Sequence, residues 1–150
     1  MRIATVALAL GLALSAEVYA QVSIHKPWVR STVPGQKVAG AFMTIASPAA
    51  VSLIGGSSPA SRVVEIHQTV KEGDVMRMVP VARLDVPAGK AVELKPGSYH
   101  IMLVDIVKPL AKGESVPIRL TFEQAGKAPQ TVEIKAEVRD VMGGGHRATH

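Results

Sequence analysis

The stretch that decides the fold runs Arg62-Val63-Val64-Glu65-Ile66-His67-Gln68-Thr69-Val70, then Lys71-Glu72-Gly73-Asp74, then Val75-Met76-Arg77-Met78-Val79-Pro80-Val81-Ala82-Arg83-Leu84. Two runs rich in Val, Ile, Thr and Met flank four residues of turn composition, the pattern of a β-hairpin. With Val70 placed opposite Val75, the register sets Thr69 against Met76 and His67 against Met78. Directly opposed side chains have Cβ atoms about 5 Å apart. An imidazole and a thioether then meet on one face of the hairpin.

The rest of the chain repeats this texture. Short apolar or alternating runs, separated by Gly and Pro, predict strands over residues 22–25, 38–45, 51–55, 62–70, 75–84, 91–94, 99–106, 115–122 and 131–138. Pro80 and Pro117 fall inside two of these runs, so an edge position or a break is expected there. No segment has convincing helical periodicity, and there is no internal repeat. Many short strands with regular turns predict an all-β fold, a Greek-key sandwich or barrel.

The chain starts with an address. Arg2 precedes an apolar run over residues 3–14, and Val18-Tyr19-Ala20 supplies small residues for a signal peptidase. The apolar run is shorter than the roughly 20 residues that span a bilayer. Residues 1–20 are therefore read as a signal peptide for export to the periplasm, with no stable membrane insertion. Residues 21–141 form a single domain, and residues 142–150 form a glycine-rich tail carrying Met142, His146 and His150. The chain has no cysteine. That excludes disulfides and a cysteine-linked lipid anchor, and it leaves methionine as the only soft ligand.

The formal charge is +5, and the basic residues are interspersed with acidic ones. No basic block alternates with aromatic residues, so nucleic acid is not an expected partner. No Ser-His-Asp spacing or carboxylate pair suggests an enzyme. An electron-transfer copper protein uses a cysteine thiolate with two histidines, which this chain lacks.

A second imidazole–thioether pair lies in residues 99–106. His100 and Met102 are two apart, so a strand points both to one face. His67, Met78, His100 and Met102 together make a neutral set of two imidazoles and two thioethers. Thioether sulfur suits Cu(I) and binds Zn(II) poorly. The bound ion keeps its +1 charge, which is costly in a deep core, so the site is expected at a rim or edge. Cu(I) tolerates two to four ligands, which permits hand-over by stepwise ligand exchange. Met43 is read as core, His25 as structural, Trp28 as a core anchor, and Met76 as a spare thioether on the face of Met78. The tail histidines favour Cu(II).

These residues resemble a known family, the periplasmic copper(I) chaperones called PCuAC. The family signature is a histidine, ten residues, a methionine, twenty-one residues, then His-x-Met. His67, Met78, His100 and Met102 fit it without a gap. Trp28-Val29-Arg30, the run from Ala39 to Ile45, Val64-Glu65-Ile66-His67, Glu93-Leu94-Lys95-Pro96-Gly97, Pro109-Leu110 and Leu120-Thr121-Phe122 are similar too, so the likeness covers residues 22–138. Gln68 departs from it, because many members carry a methionine there. The resemblance implies a cupredoxin-like β-sandwich that carries Cu(I). It also implies delivery of copper to cytochrome c oxidase during assembly, through its copper-bearing subunit or another copper carrier. Copper sequestration without a dedicated recipient is the alternative, and the ligand set does not separate the two.

Overall fold

The computed structural model describes residues 19–140. Most of the expected signal peptide and the whole of the Met/His tail lie outside them. Ten strands form, and no helix is present among the described residues: β1 Ser23–Arg30, β2 Val38–Ala46, β3 Val51–Ser57, β4 Ser61–Glu72, β5 Val75–Val81, β6 Leu84–Val86, β7 Val92–Leu94, β8 Tyr99–Ile106, β9 Ser115–Glu123 and β10 Gln130–Arg139. They join in one sheet of order β5-β4-β8-β2-β1-β10-β9-β3-β6, with β7 paired to β2. The fold is the expected cupredoxin-like β-sandwich.

The prolines mark where the expected strands differ. The run over 75–84 breaks soon after Pro80, giving β5 and β6. Pro80 itself sits in β5, an edge strand, where a missing N–H leaves no ladder bond unmade. Pro117 lies past the last β3–β9 pair, Ser57 with Arg119, so one flank of β9 has no ladder partner there. The Ser58 hydroxyl donates to its carbonyl at 2.7 Å. β1 runs five residues beyond its expected end. A bulge between His25 and Trp28, with Lys26 at φ 49°, carries the strand past Pro27.

Alternation builds the core. Ala39, Ala41, Met43 and Ile45 of β2 point inward, as do Ile101 and Leu103 of β8 and Val116, Ile118, Leu120 and Phe122 of β9. Each large side chain buried this way contributes roughly 1.5–3 kcal/mol. The sheet curls so that β3 passes close to both β9 and β4. A Cβ on Gly56 would lie 2.5 Å from the Arg119 carbonyl oxygen and 3.3 Å from Val64, so only glycine permits that approach. The intervening residues of β2, β4 and β8 face outward, and His67, His100 and Met102 are among them.

Candidate metal centre

The hairpin closes more tightly than its composition suggests. Glu72 pairs with Val75, leaving only Gly73 and Asp74 in the turn. Gly73 has φ 61°, and a positive φ at the first central position is what a type II′ hairpin turn demands. The strands therefore extend through Lys71 and Glu72, and the register shifts by two residues from the expected one. Thr69, not His67, stands opposite Met78, Met76 faces Lys71, and His67 faces Pro80. A shift of two preserves the face. Met78 stays on the side of His67, as its diagonal neighbour, where Cβ atoms lie about 7–8 Å apart.

The partner that stands directly opposite His67 is His100. β4 and β8 are antiparallel with His67 against His100 and Glu65 against Met102. The two imidazole centroids are 5.7 Å apart. Across the next ladder Met102 faces Gly40 of β2. The row thus runs from Met78 on the edge strand, past the two imidazoles, to Met102 above a glycine. All four expected residues lie on the outer face of neighbouring strands.

A cavity of about 300 Å³ opens on this face. Met78, His100 and Met102 line it, with Thr69, Gly40 and Phe42. His67 presents its ring to His100 beside it. The site is more enclosed than a rim. His100 is only 2% exposed and Met102 7%, whereas Met78 is 61% exposed. The enclosure comes from residues flanking the sheet face: Gln36 from the β1–β2 loop, Pro96 and Gly97 from the β7–β8 turn, and the Phe42 ring. That ring centroid lies 4.6 Å from Trp28 and 6.1 Å from His100. Trp28 therefore anchors one wall of the cavity.

The hydrogen bonding leaves nitrogen lone pairs to spare. His67 Nε2 is 2.6 Å from a carboxylate oxygen of Glu65, and His100 Nδ1 is 3.2 Å from the Ser98 carbonyl. The other ring nitrogens, His67 Nδ1 and His100 Nε2, are buried without a partner, as is the Thr69 hydroxyl oxygen. Leaving a buried polar atom unpaired costs about 1–3 kcal/mol. Two such atoms on facing rings, beside two thioethers, fit a site that a soft cation completes. Burial lowers the His100 pKa below its ordinary 6.5; the Ser98 carbonyl opposes this, and the neighbouring His67 adds to it. His100 is thus kept neutral, the form that binds metal. Among the described residues no three His, Cys, Asp or Glu side chains converge on a metal position, so a site here must recruit sulfur.

Met43 is 3% exposed in the core, on the far face of β2, as expected. Met76 is 58% exposed on β5. Glu65, Thr69, Gly40 and Phe42 were not legible as site residues. Glu65 carried a signal, because it lies two residues before His67 and so shares its face. Among the described residues no helix is long and apolar enough to cross a membrane.

Comparison with known proteins gives a family match and several structural neighbours. Residues 22–134 match the family model "Putative lipoprotein LpqE-like". The chain is 28% identical over 115 residues to "Putative lipoprotein Lxx21020" of Leifsonia xyli subsp. xyli, covering 76% of this chain and 69% of that one. The copper-bound PCuAC domain from PmoF2 superposes with a TM-score of 0.65 at 26% identity, over 83% of this chain and all of that one. The solution structure of CuI-DR1885 from Deinococcus radiodurans gives 0.60 at 26% identity, over 81% of this chain and 79% of that one.

Proposed function

The chain belongs to the LpqE-like, PCuAC-type family, and from that premise we propose that it is a periplasmic Cu(I) chaperone whose ligands are His67, Met78, His100 and Met102. The observation that carries the reading is the pair of facing imidazoles, each with a buried and unpartnered ring nitrogen, beside two thioethers. Copper is cargo here, not a cofactor, and the protein is a carrier without catalysis of its own. The copper-bound forms of PmoF2 and DR1885 support the choice of metal. The test is titration of the purified chain with Cu(I) against a competing chelator. One equivalent bound in preference to Zn(II) is expected, and equal or stronger Zn(II) binding overturns the reading.

Export rests on residues 1–20. The chain contains no cysteine that could carry a lipid, whereas the relative from Leifsonia xyli is named a putative lipoprotein. The recipient is the copper-bearing subunit of cytochrome c oxidase, or another carrier that serves it. A deletion strain grown at low copper should lose oxidase activity and regain it with added copper. Normal activity in that strain would favour sequestration instead. Met142, His146 and His150 offer a secondary Cu(II) site, and truncation after Val141 should leave Cu(I) binding at the main site intact.

A further inference from the structure

Resting on that copper reading, we propose that Glu65 is a positioning residue that fixes the His67 tautomer, so that the ion is held by Nδ1 of His67 and Nε2 of His100. A neutral imidazole carries hydrogen on one nitrogen and a lone pair on the other, and only the lone pair binds a metal. His67 Nε2 sits 2.6 Å from Glu65 Oε2. An ionised carboxylate only accepts hydrogen bonds, so Nε2 carries the hydrogen. The lone pair is then on Nδ1, which is the buried nitrogen without a partner.

His100 is fixed in the opposite sense. Its Nδ1 is 3.2 Å from the Ser98 carbonyl, which also only accepts, so Nδ1 donates. The bare nitrogen is Nε2, again buried and unpartnered. The two rings stand across one ladder position with opposite tautomers. The Ser98 carbonyl in the β7–β8 turn orients one ring, and the Glu65 side chain, on the same strand as His67, orients the other.

Glu65 is well placed for this. It is two residues before His67 on β4, hence on the same face, and it stands opposite Met102. Its side chain is 42% exposed, so solvent reaches the carboxylate while one of its oxygens lies against His67. Metal-ligating histidines usually donate their second ring N–H to a carboxylate or carbonyl, which orients the ring and makes the ligating nitrogen a better donor. The carboxylate also balances the single positive charge that four neutral ligands leave on the ion. Without that role, Glu65 is a solvated strand residue whose removal leaves metal binding unchanged.

The experiment is long-range proton–nitrogen correlation spectroscopy of the intact chain with isotope-labelled histidine, above the histidine titration range. Cu(I) is diamagnetic, so metal-free and loaded forms are both readable. In the metal-free form His67 should be protonated at Nε2 and His100 at Nδ1. Adding Cu(I) should shift Nδ1 of His67 and Nε2 of His100. Binding through Nε2 of His67, with Glu65 displaced, overturns the proposal and leaves the copper site standing. No response from either ring overturns the copper site and the proposal together. Glu65→Ala should lower Cu(I) affinity about 10–100-fold and mix the His67 tautomers. Glu65→Gln, whose amide oxygen accepts the same N–H, should restore the tautomer and most of the affinity. Equal losses in the two variants would deny Glu65 an orienting role.

Discussion

The Phe42 ring lies over Gly40, two residues earlier on the same strand face, and a Cβ at Gly40 would stand 2.9 Å from the far carbon of that ring. The missing side chain is what lets the ring lie between Trp28 and His100. Gly40→Ala should push the ring outward while the fold survives, at a cost of about 1–3 kcal/mol. The expected signs are a modest drop in the metal-free melting temperature, a changed Trp28 fluorescence spectrum and a several-fold loss of Cu(I) affinity. Unchanged fluorescence and affinity would remove Phe42 from the wall of the site.

Replacing Met78 and Met102 together by leucine tests the sulfur ligands. Such swaps cost under about 1.5 kcal/mol each, and the burial difference assigns most of that cost to Met102. The double variant should lose its preference for Cu(I) while its two imidazoles still hold Cu(II) or Zn(II) weakly. Chelator competition beside melting of the metal-free protein reads both effects. Retained Cu(I) affinity would hand the sulfur role to Met76 or Met142, because Met43 lies on the opposite face of β2.

Lowered His100 basicity makes metal-free stability depend on pH. Above 6.5 the ring is neutral whether the chain is folded or unfolded, so it imposes no penalty. As pH falls below 6.5 the unfolded chain takes up the proton first, and folding stability drops until the folded pKa is passed. Melting temperatures of the metal-free protein should therefore fall on this limb, and less steeply in His100→Leu. Identical slopes for the two proteins would contradict the burial of a neutral ring. Cu(I) affinity should weaken from about pH 7 to 5, as protons compete for the imidazoles.

Mild peroxide should separate the methionines by exposure. Met76 and Met78 on β5 should form sulfoxide well before Met102 and Met43. Loading with Cu(I) under anaerobic conditions, followed by brief thioether alkylation with iodoacetamide in place of peroxide, should protect Met78 and leave Met76 reactive. Peptide mass spectrometry reads the pattern, and equal protection of both residues would make Met76 a ligand as well.

The hairpin at residues 62–84 and the His-x-Met strand were legible because strand alternation is visible in one dimension. The facing of His67 and His100 was not, since it depends on β4 pairing with β8, thirty-three residues away, and nothing local encodes that ladder. The register error at the turn had a local cause. Lys71-Glu72-Gly73-Asp74 has the composition of a four-residue loop, yet Gly73 at positive φ closes it with two. The error was harmless to the site because a two-residue slip keeps every side chain on its face, whereas a slip of one would have turned Met78 away. The enclosure of His100 was hidden too. It comes from Phe42, Pro96 and Gly97, which approach from separate parts of the chain.

Met78 stands on the outermost strand, and the three other proposed ligands lie deeper in the sheet face. The consequence is kinetic. With Cu(I) held by these four residues, an acceptor sulfur or nitrogen would approach from the Met78 side and would displace that thioether before the three deeper ligands. Departure then follows an associative course whose rate rises with acceptor concentration. Such an exchange would pass the ion to the acceptor without a free aqueous Cu(I) intermediate, which would disproportionate or drive peroxide chemistry.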